Sequence, residues 1–421
     1  MIAISITRLF GRFNYDVRLK SDGLTIITGP NGYGKSTILK CIDALSRELE
    51  GMLFFSALDF ESMVIEFENK KTEIKKTPKE LLINGIPLNI QFQMQQLKRR
   101  PYFHQIDENR WIDVRRGEEI EIGEYLSRNF LKEYGEPDFD NNQKTVTKKI
   151  LVELKKIKES LGKIYFIKEQ RLIREQISFS SDNKLVNVIE DLPIKFKTVM
   201  SDVMSKYSSV SNELDSSYPN RLFSNEGAIT KEEYQRNIEI MNTRFEKLNR
   251  YDLSTMQNLN NVLFKDEHAK ALKIYFDDFE IKYKVYEDFI NKLEMFTNII
   301  NDRLSFKRIV ISRELGISIE DTEQPQKDLS LMQLSSGEKQ EIVLFYQLIF
   351  ETENNILLLI DEPEISLHIT WQKRFMDDLM KIIKYKNMNV IVATHSPQII
   401  NNHWENQIDL GEIYAEQLDK E

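Results

Sequence analysis

The sequence predicts an α/β protein: a core with a mixed sheet and a glycine-rich loop, an antiparallel β subdomain beside it, and a large helical insertion. Three observations carry that prediction. The apolar run "GLTIITG" leads straight into the loop "GPNGYGKST" at residues 29–37. Two further apolar runs near the other end, "NILLLIDEPEISLH" and "VIVATHSP", each finish in polar residues, as buried strands of a parallel sheet do at their carboxyl ends. Between them the chain is dominated by long segments with a polar face, which read as helices.

In chain order, "IAISITRLF", "FNYDVRLK" and "GLTIITG" alternate or run apolar as strands, and a helix is expected from about Ser36 to Glu48. "SMVIEFENKKTEIKK" reads as a hairpin turning near Asn69, and in "ELLINGIPLNIQF" the pair Asn84-Gly85 favours a type I′ turn. The texture changes from about Gln95, although "WIDVRRGEEIEI" has the character of a strand. Val146, Ile150, Leu154, Ile157 and Leu161 then recur at spacings of three and four within a helix over Lys144 to Gly162. "KIYFIKEQRL" returns to strand, and Leu185 to Leu304 is mostly helical with a loop near "SSYPNRLFSNEGAIT". "RIVISRELGISIED" reads as another hairpin, and strand and helix alternate from about Leu329 onward. The expected division is a core in three pieces, 1–94, 163–178 and 306–421, interrupted by helical insertions over 95–162 and 179–305. The second insertion is most plainly a lid or packing arm.

Composition narrows the function. A formal net charge of -9 argues against a surface built to coat nucleic acid, which needs local Lys and Arg against phosphate. "KKILVELKKIK" and "LKRR" are basic candidates, for which a solvated helix face is the plainer reading. The single cysteine, Cys41, excludes an intramolecular disulfide and a cysteine-based zinc site. No apolar run reaches the roughly 20 residues that span a bilayer, and Arg8 and Arg12 interrupt the opening segment where a signal peptide is apolar. A cytoplasmic protein with no membrane partner is expected.

Four stretches carry chemistry. Gly29, Gly34, Lys35 and Ser36 meet the pattern G-x-x-x-x-G-K-[ST] between an apolar strand and a helix. There the backbone from Gly29 through Pro30, Asn31, Gly32 and Gly34 to Thr37 wraps a triphosphate, Lys35 reaches the outer phosphates and Ser36 holds Mg²⁺. Asp361, at the end of its apolar run, belongs in the Mg²⁺ shell, and Glu362 polarises the attacking water. His395 ends "VIVATH", placed to touch a γ-phosphate. Gln170, after "IYFI", reaches toward metal and water, with Arg171 as an alternative.

Together with "LSSGEKQ" at residues 334–340, these stretches resemble the ATP-binding-cassette ATPases, of which the loop usually written LSGGQ is the signature. Ser336 stands in place of its first glycine and Glu338 in place of its glutamine. Such variants, with "DEPEISLH", resemble the soluble RecF, SMC and OLD-like branch; His368 stands near the D-loop position without taking that role here. The resemblance implies ATP and Mg²⁺ as cofactors. It also implies a signature loop of Ser335, Ser336, Gly337 and Glu338 that closes on nucleotide held by another copy, in a homo-oligomer of at least two ATPase domains.

Within that branch, "LFGRFNYDVRL", "IYFIKEQRL", "LDSSYPNRL", "VISRELGISI" and "ATHSPQIINNHWENQIDLGE" are similar to the ATPases of bacterial anti-phage operons, the AriA family of PARIS first and the PtuA family of Septu next. That likeness implies a sensor or scaffold that answers a phage-encoded trigger and controls a separately encoded Toprim-like or HNH nuclease. The chain runs only about 26 residues beyond His395, too few for a Toprim domain of its own. A RecF- or SMC-like ATPase of DNA repair, with DNA as partner, is the alternative.

Overall fold

The structure is a computed structural model that describes residues 3–68, 70–88, 102–105, 110–115, 118–121, 141–176, 184–224, 227–254, 263–324, 328–365 and 367–419. The segment "LKRR" and Asn69 lie outside the described residues. The chain divides into two compact units: Met1–Glu169 with Thr352–Glu421, and Gln170–Glu351.

The first unit begins with β1 (Ala3–Leu9) and β2 (Phe13–Arg18), then β3 (Leu24–Thr28), which feeds α1 (Lys35–Ser46) and α2 (Glu48–Ala57). The expected helix over Ser36 to Glu48 is therefore two helices with a corner at Arg47. Gly51 makes that corner close: a Cβ there would stand 1.6 Å from the Ala44 carbonyl oxygen. Next come β4 (Ser62–Phe67), β5 (Lys70–Lys76), β6 (Leu81–Ile83) and β7 (Ile86–Leu88). Asn84 and Gly85 both take positive φ, at 49° and 76°, the type I′ turn the pair favours. β8 (Phe103–Gln105), β9 (Arg110–Asp113) and β10 (Glu118–Glu121) form a three-stranded antiparallel sheet, so the stretch expected to be mostly helical also carries a small sheet. α3 (Asn141–Leu161) buries Ile150, Leu154, Ile157 and Leu161 in the core shared with α1 and α2, and β11 (Ile164–Ile167) follows.

In the second unit, β12 (Ile173–Gln176) and β13 (Lys184–Asn187) precede α4 (Val188–Ser224), α5 (Lys231–Arg250) and α6 (Ala269–Asn301). The loop expected near "SSYPNRLFSNEGAIT" forms only after Ser224: α4 continues through Pro219. A proline removes one helical N–H and crowds the carbonyl four residues earlier. Two residues on, Arg221 donates to the Leu214 carbonyl (2.8 Å) and, on α6, to Asp278 Oδ2 (2.8 Å), tying this turn of α4 to its neighbour. β14 (Lys307–Ser312), β15 (Gly316–Asp321) and β16 (Asp328–Leu329) make the second predicted hairpin with one added strand, and α7 (Ser336–Tyr346) closes the unit. Phe196, Phe296, Tyr346 and Phe350 pack ring against ring, with Phe196 centroids 5.1–5.6 Å from the other three, which fixes α7 to α4 and α6.

The chain returns to the first unit with β17 (Leu357–Asp361), α8 (Ile369–Lys386), β18 (Asn389–Ala393), the single turn α9 (Pro397–Ile400), β19 (Gln407–Asp409) and α10 (Leu410–Leu418). The α/β class holds, with parallel and antiparallel strands in separate sheets. One is a five-stranded parallel sheet in the order β11-β17-β18-β3-β19; the other is antiparallel, β2-β1-β4-β5-β6-β7. β3 and β17 are buried along their whole length, as strands covered on both faces must be. Because all five strands run the same way, the carboxyl ends of β3, β17 and β18 share one edge, where such sheets place ligands. Among the described residues no helix is long and apolar enough to cross a membrane.

Candidate functional site

The loop from β3 to α1 carries Gly29, Pro30, Asn31, Gly32, Gly34, Lys35, Ser36 and Thr37. Its shape depends on glycine twice over. Gly29 has φ +137° and lies against the start of α10, where a Cβ would be 3.2 Å from Leu410 Cβ. Gly34, at φ +88°, caps α1, and a Cβ there would come within 2.8 Å of Leu9. Lys35 is buried, and its ammonium bends back to the carbonyls of Gly29 (2.9 Å) and Pro30 (3.4 Å). That posture holds a positive charge inside a loop that opens onto a helix N-terminus.

The strand ends meet this loop. Ser36 donates to Asp361 Oδ1 at 2.8 Å, joining α1 to the tip of β17. Burial lifts the Asp361 carboxyl above the usual carboxylate range, against the Ser36 hydrogen bond and the charges of Lys40 and Lys35. Two hard oxygen donors so close fit Mg²⁺ well. Glu362 follows at φ 45°, a left-handed conformation uncommon for a side-chain-bearing residue and one that points to function when it persists. Its N–H is held by the Ala393 carbonyl at 2.9 Å. Its carboxylate lies 4.0 Å from Lys35 Nζ and 2.6 Å from His395 Nδ1. Burial, reinforced by the neighbouring Glu364 carboxyl, pushes Glu362 up to about 7 against the pull of His395. The side chains of Lys35, Ser36, Asp361, Glu362 and His395, spread over 361 positions, thus meet in two adjoining groups, Ser36 with Asp361 and Lys35 with Glu362 and His395.

The remaining expected site residues stand in the second unit. Gln170 is exposed and Arg171 buried. Ser335 caps α7: its hydroxyl accepts from Glu338 N (3.3 Å), while Glu338 Oε2 accepts from Ser335 N (2.8 Å). The capping box is completed by Lys307, whose ammonium stands 3.1 and 3.3 Å from the two Glu338 oxygens. The carboxylate hydrogen bonds and Lys307 hold Glu338 below the usual carboxylate range despite burial. Among the described residues nothing accepts from the N–H groups of Ser336 and Gly337, so the first turn of α7 stays open. His368 caps α8 through Thr370, a structural use of that histidine.

Sequence reading passed over Glu364, buried beside Glu362 and bonded to the backbone around His395. Its signal was the second acid of "DEPE". It also missed Asp409, which caps α10 through Gly411 N and receives the Thr28 hydroxyl at 2.9 Å, bracing the loop from behind.

Known proteins place this geometry in context. The profile described as AAA ATPase domain matches residues 9–400. The "probable iron chelatin transport ATP-binding protein" of two Helicobacter pylori strains is 32% identical over 77 residues, 18% of this chain and 29% of theirs. The chain thus spans under a third of the length of these curated relatives. Among solved structures, the Smc head domain of Pyrococcus furiosus bound to the C-terminal domain of ScpA is similar at TM-score 0.38 and 13% identity, covering 97% of this chain and 92% of that one. The SMC head domain of Thermotoga maritima is similar at TM-score 0.33 and 14% identity, covering 95% and 91%. Likeness of that degree bears on neither activity nor partners.

Proposed function

The chain belongs to the AAA ATPase domain family and is a P-loop ATPase, and from that premise we propose that ATP joins two copies of it through composite sites. In this reading the β3–α1 loop wraps the phosphates and Lys35 neutralises the outer ones. Ser36 and Asp361 hold Mg²⁺, which when bound draws charge from the phosphate oxygens. Glu362 takes hold of the attacking water, and His395 steadies Glu362 and reaches the γ-phosphate.

The observation that carries the assembly reading is the economy of the "LSSGEKQ" loop. The side chains of Ser335 and Glu338 are taken up by each other's backbone N–H groups, and Glu338 also by Lys307, so the loop offers an anion the open N–H groups of its helix and the exposed Ser336 hydroxyl. Such a loop can recognise a phosphate and has no group with which to cleave one. Native mass measurement of the Glu362→Gln variant, with and without ATP and Mg²⁺, tests this. A dimer or larger species that needs ATP is expected, and a strict monomer would overturn it.

At the level of biology we infer a sensor or scaffold subunit of an anti-phage system that controls a separate nuclease; the motifs similar to PARIS and Septu ATPases support it. The lysines of α3 favour this over a DNA-binding role: Lys156 and Lys158 pair with Glu153 (2.7 Å) and Glu48 (2.9 Å), and Lys155 approaches Glu159 (4.0 Å). A Toprim-like or HNH nuclease encoded alongside and copurifying with the chain is the expected finding. Salt-sensitive DNA binding with DNA-stimulated hydrolysis would instead point to repair.

A further inference from the structure

We propose that Glu364 is a positioning residue for His395, gripping the backbone on both sides of it so that the imidazole faces Glu362. The inference rests on the reading of His395 given above and adds a residue to that machinery. Glu364 lies in the turn after β17 and is 6% exposed. A single oxygen, Oε1, accepts from the Thr394 hydroxyl (2.5 Å), the His395 N–H (3.0 Å) and the Ser396 N–H (3.1 Å), and stands 3.2 Å from His395 Nδ1. The other oxygen, Oε2, is buried with no hydrogen-bond partner among the described residues.

β18 ends at Ala393; the Thr394 N–H still reaches the Ile27 carbonyl of β3 (3.1 Å), whereas the N–H groups of His395 and Ser396 leave the sheet, that of Ser396 also facing the Thr394 hydroxyl (3.0 Å). Unpartnered, they would each incur the desolvation cost of a lost hydrogen bond. A carboxylate that takes two successive N–H groups and the preceding hydroxyl satisfies them and fixes the course of residues 394–396. Ser396 is tied a second time, through its hydroxyl to Gln372 Oε1 at 2.8 Å. The His395 side chain is itself 53% exposed and has little packing to hold it. Its direction therefore comes from the anchored backbone and from its 2.6 Å bond to Glu362. Glu364 does not touch the site where phosphate would lie on this reading; it acts through the histidine.

The test is steady-state ATP turnover and ATP affinity of Glu364→Gln, Glu364→Asp, Glu364→Ala, His395→Ala and the double variant Glu364→Ala/His395→Ala. The Gln variant keeps an oxygen for the three donors and is expected within about threefold of the parent. Asp, one methylene short, and Ala are expected to lower kcat by roughly 10- to 100-fold, the effect of a misplaced group, with ATP affinity nearly unchanged. The double variant should be no slower than His395→Ala alone, because the two losses are one. Parental turnover in the Asp and Ala variants would overturn the proposal, as would losses that multiply in the double variant. Should Ala fail to fold, Asp against Gln decides the matter. Full activity in His395→Ala would instead bring down the role given to His395, and with it this proposal, whereas a slow His395→Ala with multiplying losses removes Glu364 alone.

Discussion

The edge of the parallel sheet in the first unit and the start of α7 in the second are both suited to phosphate, and they are built in opposite ways. At the sheet edge, side chains from three distant strand ends meet directly, Ser36 with Asp361 and Lys35 with Glu362 and His395, and Lys35 and Asp361 are buried. At α7 the side chains of Ser335 and Glu338 are engaged in capping the helix, with Lys307 on Glu338, and the N–H groups of Ser336 and Gly337 stay open. The first arrangement can bind, polarise and move a proton; the second can only recognise charge. In the proposed function, the group that does chemistry is thereby separate from the group that senses whether nucleotide is present.

Four measurements break or sharpen that contrast. The largest effect is expected for Glu362→Gln, which should slow hydrolysis by about 10²–10⁴-fold while ATP binding survives, as loss of a general base does. Undiminished turnover would remove the distinction at its root. Next, Glu341→Ala strands the buried Arg303, its ion-pair partner behind α7. Removing one member of a buried pair costs about 3–5 kcal/mol, read by chemical denaturation. A loss below about 1 kcal/mol would mean the signature helix is held by its aromatic packing alone.

The third is pH. Glu362 must be ionised to act as a base, and its proton affinity is raised to about 7. In the free enzyme kcat/KM should therefore fall as pH drops below about 7, roughly tenfold per unit, and level off above it. The sign for stability is the reverse: a carboxyl whose folded value is raised favours the folded state when protonated, and that contribution is lost as pH rises from the usual carboxylate range through about 7. A flat profile between pH 5 and 8 would contradict the assignment of Glu362. The smallest effect belongs to Lys307→Ala. It leaves the Glu338 charge unneutralised beside the loop and should weaken ATP-dependent association by about tenfold, with ATP binding to the monomer unaltered. Unchanged association would show that capping alone positions the loop.

The sequence carried much of this. "GPNGYGKST" between strand and helix, the apolar run ending in Asp361 and Glu362, and the run ending near His395 are local patterns. Chain order alone sets glycine positions, strand burial and helix caps, because each depends on near neighbours. The Asn84-Gly85 turn and both predicted hairpins were legible for the same reason. Where reading failed, the deciding partner was remote. α4 runs on past Pro219, where Arg221 ties it to Asp278, 57 positions away on α6. The corner between α1 and α2 needed Gly51 to come against Ala44, a contact that periodicity does not encode.

What the sequence determined by itself, then, was which polar and charged residue types stand in the glycine loop and at the strand ends. What only the tertiary structure decided was which of them are joined. Ser36 meets Asp361 and Glu362 meets His395 because five parallel strands bring their carboxyl ends to one edge. Glu364 became visible there as well, since a buried carboxylate gains its role from three donors more than 29 positions away, and separation in sequence says nothing of proximity in space.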